Sequence, residues 1–176
     1  MSTKISLRKT YGVYASKTHL ATMIFPFIKN EIKNGAIIKP ILEKDISYEI
    51  GYVIKNVALK PNLKKIIENI DWKQTNIEKI KNVLAEMEKL LNSNNNINIV
   101  VQGSNLFIEK VNELIDLWTK INIKVLENSK TTINIINCYN FEDNKKINDL
   151  NEKHEFILKT SGIEEIYNED ILKKAN

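Results

Sequence analysis

The sequence predicts an α/β fold, a mainly parallel sheet of about six strands with helices on both faces. Two observations carry this. Apolar periodicity switches along the whole chain between the repeat of a helix and the continuous runs of a buried strand. Successive strand-like runs are separated by a dozen residues or more, the length of a βαβ crossover and too long for a hairpin. No internal repeat or linker interrupts the alternation, so residues 1–176 read as one domain.

Tyr11 to Tyr14 reads as a first short strand, with a possible start near Ile5. Ser16 or Thr18 supplies the oxygen that caps a helix N-terminus, and the helix that follows places Leu20, Ile24, Phe27, Ile28 and Ile32 on one face. Gly35 ends it, as glycine does at a helix C-terminus. Ala36 to Leu42 has strand length and apolarity, and Pro40 confines it to an edge or a bulge. Asp45 caps a helix carrying Ile46, Ile50, Val53, Ile54 and Val57, which Pro61 stops. Ile66 to Trp72 reads as a strand. Thr75-x-x-Glu78 is a capping-box pattern opening a helix with Ile77, Ile80, Leu84, Met87 and Leu91 inside. After the polar stretch 92–96 comes a strand, Ile97 to Gln102. Ser104 then caps a helix that presents Phe107, Val111, Leu114, Ile115 and Trp118. Ile133 to Tyr139 is a further buried strand. Asp143 or Asn144 caps a short helix through Leu150, Glu155 to Lys159 is a last strand, and Glu164 to Lys174 a terminal helix.

Composition bounds the function classes. The chain of 176 residues, 43% hydrophobic and 27% charged, is an ordinary globule, not a disordered tail, fibre or disulfide scaffold. No segment approaches the roughly 18–20 apolar residues of a membrane span, and Lys4, Arg8 and Lys9 are followed by no signal-peptide core. One cysteine forms no internal disulfide, which fits a reducing cytoplasm. The expectation is a cytoplasmic protein with no membrane partner. The 26 basic residues against 22 acidic ones include a single arginine, Arg8. Lysines alternate with acids, so a solvated surface is expected, not a nucleic-acid stripe. Ile, Asn and Lys are over-used, as a codon bias toward A and T in a low-GC bacterium produces, and many Asn residues read as filler.

In an open parallel sheet, ligands sit outside the carboxyl ends of the strands. Three segments fall there: 15–19, 102–105 and 139–141. Ser16-Lys17-Thr18 resembles the last positions of a phosphate-binding loop, but Ser stands for the glycine and Gly12 is out of register, so the loop fails the motif. Cys138 alternates with Ile136 in an apolar strand, which reads as a small buried hydrophobe. A catalytic reading needs the thiol within hydrogen-bond reach of an imidazole, and His154 is the candidate. His19 falls near a helix N-terminus. No spacing among Cys138, His154 and His19 suggests a metal site. Candidate ligand-binding residues by position are Tyr14, Lys17 and His19, then Gln102 and Ser104, then Cys138, Tyr139 and His154. No cofactor is implied.

Several segments together resemble the MEDS domain, the methanogen/methylotroph sensory domain of the dichloromethane-responsive repressor and some bacterial signalling proteins. They are Tyr11-Gly12-Val13-Tyr14 with the helix through Phe27-Ile28 and then Gly35; the helix, strand and helix from Ile77 to Trp118; and Cys138-Tyr139-Asn140 followed by His154, where the family shows Cys-x-Tyr-Asp and a later His. The likeness spans about residues 10 to 168. It implies a RecA-like or KaiC-like three-layer sandwich without nucleotide-hydrolysing motifs, in a non-enzymatic sensory role. Such a domain would bind a small molecule and signal through a kinase, a transcription regulator or a second copy. The alternatives are an interaction protein with no small ligand, or a small enzyme using Cys138 and His154.

Overall fold

The computed structural model describes residues 7–91, 95–143 and 147–166. Its order is β1 (Leu7–Tyr14), α1 (Lys17–Lys33), β2 (Ile37–Leu42), α2 (Ser47–Lys55), α3 (Pro61–Glu68), α4 (Ile77–Leu90), β3 (Ile97–Gly103), α5 (Asn105–Ile121), α6 (Ile123–Asn128), β4 (Ile133–Asn140), α7 (Ile147–Lys153), β5 (Phe156–Lys159) and β6 (Gly162–Glu165). The strands form one sheet in the order β2-β3-β4-β1-β5-β6. Every pairing is parallel except β5 with β6. The α/β class and the mainly parallel sheet therefore stand as expected.

Side chains alternate across the strands and divide the core in two. Even-numbered positions such as Val100, Ile136 and Cys138 pack under α1, α2 and α3. Odd-numbered positions such as Ile99, Ile135 and Tyr139 pack under α4, α5, α6 and α7. Strands β3 and β4 are buried on both sides and need apolar runs, which is why they were legible in sequence. Pro40 is accommodated because β2 is the sheet edge.

Helix α1 buries Leu20, Ile24, Phe27 and Ile28 as its spacing predicts, each worth about 1.5–3 kcal/mol when removed from water. Ser16 is its N-cap, accepting from the His19 amide at 3.1 Å. Gly35 follows the C-cap at φ 81°, a left-handed conformation that a side chain would strain. Asp45 accepts from the Ser47 amide at 2.8 Å at the start of α2.

Four local expectations are corrected. Residues 61–68 of the stretch before Trp72 form helix α3, not the lead-in to a strand at 66–72: Pro61 sits at its first turn, where its missing N–H costs nothing. Leu63 and Ile67 point inward at helical spacing while Ile66 is exposed, and Trp72 donates from its indole to the Ile67 carbonyl at 3.2 Å. Thr75 is not the cap of α4. Asn76 is, accepting from the Lys79 amide at 2.9 Å, while the Thr75 hydroxyl accepts from the Leu42 amide at 3.0 Å. Glu164 and Glu165 belong to β6, not to a terminal helix; residues 167–174 of that expected helix, and Asn144 as a cap, lie outside the described residues. Nor are all the asparagines filler. Thr10 donates to Asn134 at 3.0 Å, Asn134 to Asn98 at 3.3 Å, and Asn98 to Glu31 at 3.0 Å, a closed polar row across three strands beneath α1.

Candidate functional site

Strands β1 and β4 are neighbours, and their onward chains leave on opposite faces, α1 on one and α7 on the other. This is a switch point of the sheet, where crevices open in α/β folds. A cavity of about 740 Å³ lies along this seam on the α5/α7 side. Its floor is Asn137, Tyr139 and His154. One wall is the α5 face carrying Asn105, Glu109, Asn112, Glu113 and Asp116, and the other is Asp149, Leu150 and Lys153 of α7. Glu142 and Asp143 stand at the mouth, and Lys9 pairs with Asp116 at 3.3 Å at the far end.

The floor is built by a second asparagine network. Asn112 and Asn137 exchange hydrogen bonds at 2.9 and 3.1 Å. His154 Nδ1 faces the Leu150 carbonyl at 2.8 Å, so it must carry the proton, and Nε2 accepts from Asn137 at 3.0 Å. Burial holds the imidazole below its ordinary value, with Lys9 and Lys153 pushing the same way, so it is a neutral ring locked in one tautomer. Tyr11 lies tilted against it at 5.2 Å and Tyr139 meets it edge-on at 5.8 Å. The Tyr11 hydroxyl donates to Asn151. The Tyr139 side chain is 8% exposed, and its hydroxyl makes no hydrogen bond to any described residue. It opens into the cavity. Burial, followed by Cys138 and the Glu109 carboxylate, pushes it up to about 12, so it keeps its proton at neutral pH.

Among the described residues, charge in the cavity is one-sided. Six carboxylates, Glu109, Glu113, Asp116, Glu142, Asp143 and Asp149, stand against two ammonium groups, Lys9 and Lys153. Only Asp116 has an ion-pair partner among the described residues. In a chain of net charge +4, the described residues of this groove are predominantly acidic.

Strand register brings the three expected segments to one end of the sheet: Gly103 lies beside Tyr139, and Tyr14 beside Asn140. It does not bring their side chains together. Tyr139 and His154 line the cavity; Tyr14, Gln102 and Cys138 lie on the other face. There Gln102 donates to the Tyr14 hydroxyl at 2.9 Å and accepts from the Lys44 amide at 3.2 Å, so this buried pair is satisfied internally. Cys138 is fully buried and its thiol is pushed up to about 12 by desolvation. The Cys138–His154 pairing that the enzyme reading requires is not made, because the two groups occupy opposite faces of the sheet. Lys17 is exposed in the first turn of α1. His19 accepts the Ala15 amide on Nδ1 at 3.0 Å. The β1–α1 connection is only Ala15 and Ser16, too short to cradle a phosphate chain.

Ser104 is also occupied. Its amide and hydroxyl both donate to the Glu43 carboxylate, at 3.0 and 2.9 Å, while its oxygen accepts from the Phe107 amide at 3.3 Å. Glu43 thereby places a negative charge at the positive end of α5. Gly103 makes this possible: a Cβ there would stand 2.6 Å from the Glu43 carboxylate oxygen. Sequence reasoning missed Glu43, Asn112, Asn137 and the carboxylates of α5. The available signal was the spacing of Glu109, Asn112, Glu113 and Asp116, one polar stripe beside an apolar one.

No protein-family model matches the chain, and no curated protein matches it in sequence. Among the described residues, no helix is long and apolar enough to cross a membrane, and no three His, Cys, Asp or Glu side chains are arranged to hold a metal ion.

Proposed function

We propose that this is a non-enzymatic sensory or regulatory module that binds a small molecule in the α5/α7 groove and signals through a protein partner. The observation that carries the reading is the Tyr139 hydroxyl, which caps a side chain only 8% exposed, opens into a cavity of ligand size and has no partner among the described residues. A pocket of about 300–1,000 Å³ with a few convergent polar groups is the usual form of a ligand site. The MEDS resemblance points to the same role, and the single cysteine fits a cytoplasmic setting.

Helix α5 supplies a route for the signal. One of its faces packs on the sheet, a second lines the groove, and the third exposes Leu106, Leu117 and Ile121 to solvent. A ligand that draws in Glu109 and Glu113 acts on the same rigid element that presents this apolar stripe. The stripe also favours the second reading, an interaction protein that docks through α5 with no small ligand.

A thermal-shift panel separates the two. It holds nucleotides with and without magnesium, amines, organic acids and small apolar metabolites. The expected result is at least one compound that raises the midpoint of the wild type and raises it less in Tyr139→Phe. A ligand at 100 times its Kd stabilises by about 2.7 kcal/mol. A flat panel, or a hit indifferent to Tyr139→Phe, overturns the groove as the ligand site.

A further inference from the structure

We infer that the groove's ligand is an extended organic cation, a linear aliphatic polyamine carrying two or more protonated nitrogens. This rests on the reading of the groove as a ligand site and specifies its chemistry. The carboxylates of Glu109 and Glu113 line one wall and make no ion pair with a described residue, while Asp149 faces them from α7. These carboxylates are exposed and set side by side along one groove, so their potentials add and an occupant that supplies positive charge is the complementary one.

Shape selects an extended cation. The α5 wall runs from Asn105 to Asp116, about 16 Å at 1.5 Å per residue. Glu109 and Glu113 are separated by about 6 Å of axial rise on that scale, close to the spacing of two nitrogens joined by a short methylene chain. Among the described residues no acidic triad is arranged around a point, which a bare metal ion would need. The Lys9–Asp116 pair closes the far end with a bound ammonium of the protein's own, showing the chemistry this wall accepts. On the floor, the Tyr139 hydroxyl is an open acceptor for an ammonium N–H.

Isothermal titration with spermidine, a linear triamine, tests this. The expected result is saturable binding at one site per chain. Glu109→Gln/Glu113→Gln should weaken it tenfold or more. Tyr139→Phe, which changes no charge, should weaken it about fivefold, the equivalent of one hydrogen bond of about 1 kcal/mol. Glu68→Gln/Glu78→Gln, on α3 and α4 away from the groove, should leave it unchanged. Equal loss in both glutamine pairs with none in Tyr139→Phe means diffuse counter-ion attraction and overturns the inference. So does a failure of spermidine to bind while a neutral or anionic compound of the panel binds in a Tyr139-dependent manner; the groove then stands and its cation does not. If no compound binds, both readings fall. Unchanged melting midpoints of the variants confirm that each loss is local.

Discussion

The two faces of the sheet treat buried polar groups in opposite ways. Beneath α1, Thr10, Asn134, Asn98 and Glu31 form a closed row, and Tyr14, Gln102 and the Lys44 amide form another. Each side chain in these rows finds a partner within the protein. Beneath α5 and α7, the Asn112–Asn137–His154 network is equally satisfied, yet the same groove holds a tyrosine hydroxyl and carboxylates that, Asp116 apart, have no partner among the described residues. Closed networks fix strand register and helix placement. An open group above a closed floor is what a binding site requires, because the floor holds the group still while leaving its valence free.

The most damaging way to test this contrast is to open the floor. Asn137→Leu leaves Asn112 and His154 Nε2 without their buried partner. A loss of about 3 kcal/mol is expected, read as a fall of about 6–12 °C in the midpoint of thermal unfolding. Next comes one substitution applied to both faces. Tyr14→Phe removes the acceptor of a buried Gln102 N–H and should cost about 1–2 kcal/mol in denaturant unfolding. Tyr139→Phe removes a hydroxyl that bonds to no described residue and should change stability by less than about 0.5 kcal/mol. Equal costs at the two tyrosines would abolish the distinction between the faces.

The gentlest expected effect is pH dependence. The folded protein holds His154 below its ordinary value of 6.5, so below that pH the unfolded chain binds more protons than the folded one. Its contribution is complete above about pH 6.5 and is lost as pH falls from there toward the folded value. Unfolding midpoints measured between pH 7.5 and 5 should therefore decline, and the decline should be shallower in His154→Gln. A decline of identical slope would assign the effect to other groups.

The α/β class was legible because periodicity reports burial. The continuous apolar runs of β3 and β4 required cover on two faces, and the spacing of Leu20, Ile24 and Ile28 required one face of a helix. Ser16, Ser104 and Gly35 marked helix ends for local reasons that need no tertiary partner. Where local signals competed, tertiary context decided. Ile66 to Trp72 has the side chains of a strand, but Pro61 pre-sets the first helical turn and the core accepts only Leu63 and Ile67 from α3.

The site was half legible. Tyr139, expected at the carboxyl end of an apolar strand, and His154, singled out as an imidazole, both line the cavity, and the expected segments converge at one end of the sheet. Their separation from Cys138, Tyr14 and Gln102 follows from side-chain alternation, which puts neighbours in sequence on opposite faces.

By itself the sequence determined the class of fold, the helix and strand faces and the ends of several helices, because these depend on interactions spanning a few residues. The tertiary structure alone decided strand order, the pairing of buried asparagines and the gathering of carboxylates from α5, α7 and the β4 loop into one groove. Those properties depend on residues far apart in the chain, and no local spacing encodes which of them will meet.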